Sequence, residues 1–164
     1  MKIRILILAV ILLLSLQINC IASDRYQWIL STDENNFWLD TETIKFSRDS
    51  LNNNVNKDIA DFWIKITYTD DGLYTKIESR KNSNLSTVGY ENLGFTINHS
   101  LLNAKSKKLA LLAYIDYDNK GKVLSSKSWS PEWFDITPGS AGEEIDRSVS
   151  NFIINNFTTI FSRS

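Results

Sequence analysis

His99 is the only imidazole in this 164-residue chain, and so the first residue to weigh for acid–base chemistry. A general base needs a partner that orients it as well as a suitable pKa. His99 lies between Asn98 and Ser100, at the end of an expected strand, with no sequence cue for a partner. It therefore reads as an exposed loop histidine. Pro138-Gly139-Ser140-Ala141-Gly142 resembles a nucleophile elbow, but Pro138 replaces the first glycine and the helix that follows carries no base. Ser140 and Glu143 instead form the S-x-x-E pattern of a helix capping box. Asp116-Tyr117-Asp118-Asn119-Lys120-Gly121 begins like a calcium loop, yet Lys120 and Lys127 place ammonium groups where that loop needs oxygen ligands. A hairpin turn explains it better. The carboxylate pairs Asp70/Asp71 and Glu143/Glu144 fall in turn and helix-start positions, which have structural reasons of their own. No catalytic residue, metal ligand or cofactor site is expected, and the chain is expected not to be an enzyme.

The N-terminal residues point to a compartment. Lys2 and Arg4 precede an apolar run from Ile5 to Leu16, broken only by Ser15, and Cys20-Ile21-Ala22-Ser23 offers a small-residue cleavage region. Residues 1–23 are expected to be a secretory signal peptide, cut after Ala22 or Ser23. The alternatives are an uncleaved anchor and lipidation at Cys20. The run is shorter than the ~20 residues of a spanning helix, and Gln17 and Asn19 suit a lipidation box poorly. Residues 24–164 then form a single domain exported to the periplasm, the cell surface or the medium. They hold 16 basic and 19 acidic groups, a net charge of −3. Such a surface has no basic excess for phosphates, so nucleic acid is not an expected partner. Cys20 is the only cysteine, so the exported domain must be held by burial without a disulfide. Hydrophobic residues at 43% against 23% charged are enough for a core and argue against disorder.

Strand periodicity dominates the rest. Tyr26, Trp28 and Leu30 alternate with polar residues, then Phe37–Asp40 and Thr43–Phe46 read as two short strands around an Asp-Thr-Glu corner. Residues 47–57 are rich in asparagine and are expected to form a mobile loop. From Ala60 to Thr69 the period is two, with Phe62, Ile64, Ile66 and Tyr68 on one face and Asp61, Trp63, Lys65 and Thr67 on the other. Asp70-Asp71-Gly72 is expected to turn a hairpin into a returning strand, Leu73–Arg80. Thr87–Asn98 forms the next strand, with a bulge near Gly89 or Gly94. Leu109–Tyr117 places Leu109, Leu111, Ala113, Ile115 and Tyr117 on one face. Val123–Trp129 pairs back across a turn with Gly121 in the left-handed position, and Pro131 interrupts pairing. Finally, Ile145, Val149, Phe152, Ile153 and Ile160 recur at helical spacing. One amphipathic helix from about Ala141 to Ile160 is expected, roughly 30 Å long. The fold class is α+β: a single antiparallel sheet of about six to eight strands with one long C-terminal helix packed on one face.

The order of motifs resembles the surface-adhesin protein E-like family of small exported bacterial proteins. The resemblance rests on Trp28, Trp38-Leu39-Asp40-Thr41 with Ile44, and Phe62-Trp63-Ile64-Lys65. It continues through Tyr114-Ile115-Asp116-Tyr117-Asp118, Gly121-Lys122-Val123-Leu124, Trp133, Pro138-Gly139-Ser140 and Gly142-Glu143. It implies an antiparallel sheet carrying a C-terminal helix, a surface location, and adhesion to host extracellular-matrix or serum proteins. The namesake ties its helix to the sheet by a disulfide, which this chain lacks. The expected function is thus a non-enzymatic exported binding protein; the alternative is a periplasmic accessory, inhibitor or assembly factor that binds another envelope protein. A protein is the expected partner in either case, with no cofactor. Trp63 is the candidate binding residue, since it lies opposite the Phe62 face beside Lys65 and Thr67. The competing reading buries Trp63 beneath the asparagine-rich loop or the N-terminal strands. Ser140, Glu143 and Phe152 are the expected structural residues, capping the helix and docking it on the sheet.

Overall fold

The computed structural model describes residues 25–49 and 51–164. The expected signal peptide, residues 1–23, lies outside the described residues. Seven strands form one antiparallel sheet: β1 (Tyr26–Ser31), β2 (Asn35–Arg48), β3 (Val55–Tyr68), β4 (Leu93–Asn103), β5 (Lys108–Asp118), β6 (Val123–Ser128) and β7 (Trp133–Asp135). They follow the order β1-β2-β3-β4-β5-β6, and β7 pairs with β5 beyond the end of β6. The helices are α1 (Asp70–Asn82), α2 (Ala141–Asn155) and α3 (Phe157–Arg163), with a single 3-10 turn at Tyr90–Asn92. No helix among the described residues is long and apolar enough to cross a membrane.

The core lies on the face of β3 that carries Phe62 and Ile64. Leu39, Ile44, Phe46, Phe62, Ile64, Leu102 and Leu109 pack there against Val149 of α2 and Ile160 of α3. Leu39 and Ile44 are five residues apart on one strand, so both can face the core only if the alternation slips between them. It does: the register moves from Asp40 opposite Trp63 to Lys45 opposite Asp61. Thr43 stabilises the slip by donating its hydroxyl to the Asp40 carbonyl at 2.8 Å and accepting the Trp63 N–H at 3.1 Å. The two short strands expected around Asp40-Thr41-Glu42 are therefore one bulged strand. The loop expected over 47–57 is also shorter, because Ser47 and Arg48 end β2 and Val55, Asn56 and Lys57 begin β3. Asp49 tightens the turn between them, where its backbone N–H donates to the Asn54 carbonyl.

The largest departure is α1. The stretch expected as a hairpin and returning strand is helical from Asp70 to Asn82. Thr69 caps it, accepting the Gly72 N–H at 3.1 Å and donating to the Asp33 carbonyl at 2.8 Å. Asp70 and Asp71 open the first turn and Arg80 and Lys81 close the last, as the helix dipole favours. Gly72 serves close approach here: a Cβ at this position would collide with the Glu34 backbone carbonyl. The turn after β5 matches expectation, with Gly121 at φ 81° and Asp118 accepting the Lys120 and Lys122 N–H groups, each at 2.8 Å. Those backbone bonds, that of Lys122 first, hold the Asp118 carboxyl below its ordinary pKa.

The single long C-terminal helix is also corrected, because it breaks at Asn156. That residue has φ −129° and ψ 25°, and its side-chain amide donates to the Phe152 carbonyl at 3.0 Å. Asparagine competes for helix carbonyls in this way and so favours helix ends. After the break, Ile160 turns into the core, while Phe157 packs on Phe46 with ring centres 5.6 Å apart. Arg163 donates to the Thr41 carbonyl at 2.8 Å, and the Ser164 hydroxyl accepts the Phe46 N–H at 2.6 Å. The end of α3 is thereby fastened to β2.

Candidate functional site

All three helices lie on one side of the sheet. Val149 and Ile160 pack on the Phe62 face, and α1 reaches Thr96 and Asp116, which pair with each other on that same face. The strand register therefore defines an opposite, open face: directly paired residues project to the same side. Tyr26 pairs with Asp40, Asp40 with Trp63 and Trp63 with His99. Lys65 pairs with Ile97, Ile97 with Ile115, and Phe95 with Tyr117. Tyr26, Trp63, Phe95, Ile97, Ile115 and Tyr117 are all half-buried rather than sealed. With Arg25 and Thr43 they line a hollow of about 360 Å³.

Trp63 stands in the middle of this face. Its ring stacks on His99 with centres 4.4 Å apart and planes 5° from parallel. His99 Nε2 lies 2.7 Å from Asp61 Oδ1, and Lys45 Nζ lies 3.9 Å from the other Asp61 oxygen. Asp61, Trp63 and His99 thus brace one another across β3 and β4. The partner of His99 was invisible in the sequence because it depends on the β3–β4 register. His99 also belongs to the strand, which runs on to Asn103, and is not a loop residue. Beside the stack, Lys65 Nζ sits 5.0 Å from the Tyr26 ring centre and 4.7 Å from that of Phe95, within cation–π range. Phe95 in turn stacks on Tyr117 at 4.9 Å. At the rim Arg25 grips Asp40 through two nitrogens, Nε to Oδ1 at 3.0 Å and Nη2 to Oδ2 at 2.7 Å. Hydrogen bonding to Asp40 raises the Arg25 pKa above its ordinary value, and burial raises that of Tyr26.

The sequence reading placed Trp63 opposite the Phe62 face, and the structure has it there, half-buried in the stack with His99. Most of the surrounding aromatic face is not evident from the sequence. Strict alternation predicts Leu109 and Leu111 on one side with Ala113, Ile115 and Tyr117. A register shift at Leu112 separates them: Leu111 pairs with Ser100 on the helix side, while Ala113 pairs with His99 on the open side. The expected bulge near Gly94 does lie between Leu93 and Phe95; it turns Phe95 toward Tyr117.

The remaining motifs have structural partners. Asp116 is fully buried and accepts hydrogen bonds from Tyr90 at 2.6 Å, Thr96 at 2.5 Å and Lys76 at 3.2 Å. Arg80 Nη1 lies 3.9 Å from the same carboxylate. Burial, then the bond to Asp116, raises the Tyr90 pKa. Ser140 stands at the N-cap of α2, but its hydroxyl makes no cap bond. Glu143 reaches back instead, accepting the Gly139 N–H at 2.8 Å. Phe152 is half-buried against the core. Among the described residues no group of three or more His, Cys, Asp or Glu side chains is placed to hold a metal ion.

Among the described residues the architecture is that of an antiparallel α+β domain with all three helices on one sheet face. No protein-family model and no curated protein sequence matches the chain. Among solved structures it is similar to a crystal form of Haemophilus influenzae protein E, at 12% identity and a TM-score of 0.48, over 79% of this chain and 90% of that one. It is also similar to protein E from non-typeable Haemophilus influenzae, at 13% identity and a TM-score of 0.48, over 79% of this chain and 78% of that one.

Proposed function

We propose that this protein is an exported, non-enzymatic binding domain that holds a protein partner on its open sheet face. One observation carries the reading: the half-buried aromatic and apolar side chains around Trp63 form a continuous surface that no helix among the described residues covers. A one-sided antiparallel sheet ordinarily turns polar residues outward. Extended apolar surface rimmed by charge marks interaction sites on soluble proteins, and Trp, Tyr and Arg dominate binding energy at such sites. The open face has all three, with Arg25, Lys45 and Lys65 set against Asp40 and Asp61. The non-enzymatic part of this reading draws support from His99, whose Nε2 meets Asp61 and whose ring is stacked on Trp63. No hydroxyl among the described residues hydrogen-bonds His99 to serve as a nucleophile. Export rests on the N-terminal segment, Lys2 to Ser23.

The test is a binding survey of the purified protein against host matrix and serum proteins and against bacterial envelope extract. Capture of a host protein supports the adhesin reading; capture of an envelope protein alone supports the accessory reading. With the captured partner in purified form, Trp63→Ala is expected to weaken binding at least about tenfold. Undiminished binding by both Trp63→Ala and Ile97→Asp would remove this face from the interface.

A further inference from the structure

On the opposite side of the sheet, independent of the open face, lies a smaller cavity of about 160 Å³. Its walls include Phe37 from β2, Ile64 and Ile66 from β3, Leu111 from β5, Phe134 from β7 and Ile145 from α2. They are all apolar. Two polar residues, Asn98 and Ser100, line it from β4, two positions apart and therefore on one strand face. Ser100 is only 9% exposed, yet none of the described residues hydrogen-bonds its hydroxyl. Asn98 likewise has no side-chain partner among them. The Ser100 hydroxyl is not sealed from solvent, since Asn35 Oδ1 is the only buried side-chain polar atom without a partner among the described residues, and is therefore free to bond a group that enters the cavity.

We propose that this cavity is a binding site for a small molecule, a single aromatic ring bearing one hydrogen-bonding substituent. Size, wall chemistry and polarity each contribute. An apolar protein cavity of about 150 Å³ accommodates a benzene-sized molecule, and this one is of similar volume. Phe37 and Phe134 offer ring surfaces suited to offset or edge contacts with an aromatic guest. Ser100 can donate or accept, and so can the Asn98 amide, so a hydroxyl on the ring finds a partner in either sense. Few, well-placed polar groups in an otherwise apolar pocket are the usual anatomy of a small-molecule site. Phe134 is 52% exposed and also borders a second hollow with Trp129 and Glu132, which gives the cavity a way in from solvent.

The probes are phenol and toluene, which differ little in shape but only one of which hydrogen-bonds. Methyl NMR spectra of the protein would be followed during titration with each, to millimolar concentration. Phenol is expected to shift the methyl signals of Ile64, Leu111 and Ile145 and to bind roughly three- to tenfold more tightly than toluene, as one hydrogen bond allows. Ser100→Ala should remove that advantage while leaving toluene binding unchanged. Absence of methyl shifts with both probes would overturn the site. Equal affinity for phenol and toluene in the unaltered protein would overturn the polar role of Ser100 and Asn98, even if the variant did not fold.

Discussion

Two helical regions cover the same sheet face by opposite means. The α2–α3 pair docks through apolar burial: Val149 and Ile160 are fully buried against Leu39, Ile44 and Phe62. The α1 helix docks through charge. Its Lys76 and Arg80 converge on the buried Asp116, which also receives the hydroxyls of Tyr90 and Thr96. Tyr68 extends the network, its hydroxyl 2.6 Å from that of Thr96, and Lys76 lies over the rings of Tyr68 and Tyr114. The difference matters energetically. Apolar contacts yield stability in proportion to area, while a buried ionic network is close to balanced when complete and costly when broken. The α2–α3 region should therefore tolerate reshaping but not charge, and the α1 region should tolerate neither loss of Asp116 nor its isolation.

Val149→Asp is the strongest way to break the apolar half. An unpaired carboxylate at a fully buried site is expected to cost about 5 kcal/mol, near or beyond the stability of a domain this size. Phe152→Asp, at a half-buried site, should cost about 2 kcal/mol. Thermal melts would rank the two, and equal melting points would mean that α2 does not dock through Val149. Asp116→Ala tests the other half. It leaves Lys76, Tyr90 and Thr96 without their shared acceptor and is expected to cost about 3 kcal/mol. Its signature is local: amide exchange should accelerate in α1 and the Tyr90 turn while α2 stays protected. Uniform acceleration across the molecule would show that the two regions are one cooperative unit.

The same contrast explains what was legible in the sequence. Strand β3 and the helical stripe of Ile145, Val149, Phe152 and Ile160 announce themselves because burial imposes a period, and the largely exposed β6 is announced by the Gly121 turn before it. The open-face position of Trp63 follows from the same alternation. By contrast, α1 has no apolar stripe; it is positioned by Thr69 on Asp33, Gly72 against Glu34 and Lys76 on Asp116, partners that are distant in sequence. Asp-Asp-Gly looks like a hairpin turn to local rules, whereas here the two aspartates serve the helix dipole and the glycine serves close packing. The aromatic face was hidden for a related reason. A single-residue slip at Leu112 reverses the side to which every later β5 residue points, and no residue type signals that slip. The break at Asn156 was readable only in part: asparagine lowers helix propensity, but Ile160 continues the apolar spacing across it.

Alkaline titration separates the regions more finely. Tyr68 and Tyr90, both in the Asp116 network, have pKa values raised chiefly by burial, whereas α2 and α3 contain no tyrosine. A raised pKa means that the folded state holds its proton more tightly than the unfolded one. The stability these groups confer is therefore intact below about pH 10, the ordinary tyrosine value, and is lost as pH rises through the folded values. Melting temperature should fall across that range, and Tyr90→Phe should flatten the fall. An unchanged slope in the variant would mean that Tyr90 contributes nothing to it.

The smallest expected effects compare the two helix starts. At α1, the Thr69 hydroxyl accepts the Gly72 N–H and donates to the Asp33 carbonyl, so Thr69→Ala should cost about 1–2 kcal/mol, the range for a lost N-cap. At α2, the S-x-x-E pattern predicts that Ser140→Ala costs about 1 kcal/mol. The structure lowers that value, since the Ser140 hydroxyl makes no cap bond and a substitution that removes no hydrogen bond generally stays within about 0.5 kcal/mol. Glu143 instead ties the turn before the helix, with its carboxylate on the Gly139 N–H at 2.8 Å and near the positive end of the helix dipole. Glu143→Ala is accordingly expected to cost about 0.5–1 kcal/mol, more than Ser140→Ala. Chemical denaturation of the three variants resolves the order Thr69, Glu143, Ser140. If Ser140→Ala proved the costliest of them, its hydroxyl would have to turn inward in solution to cap α2, and the two helix starts would be alike.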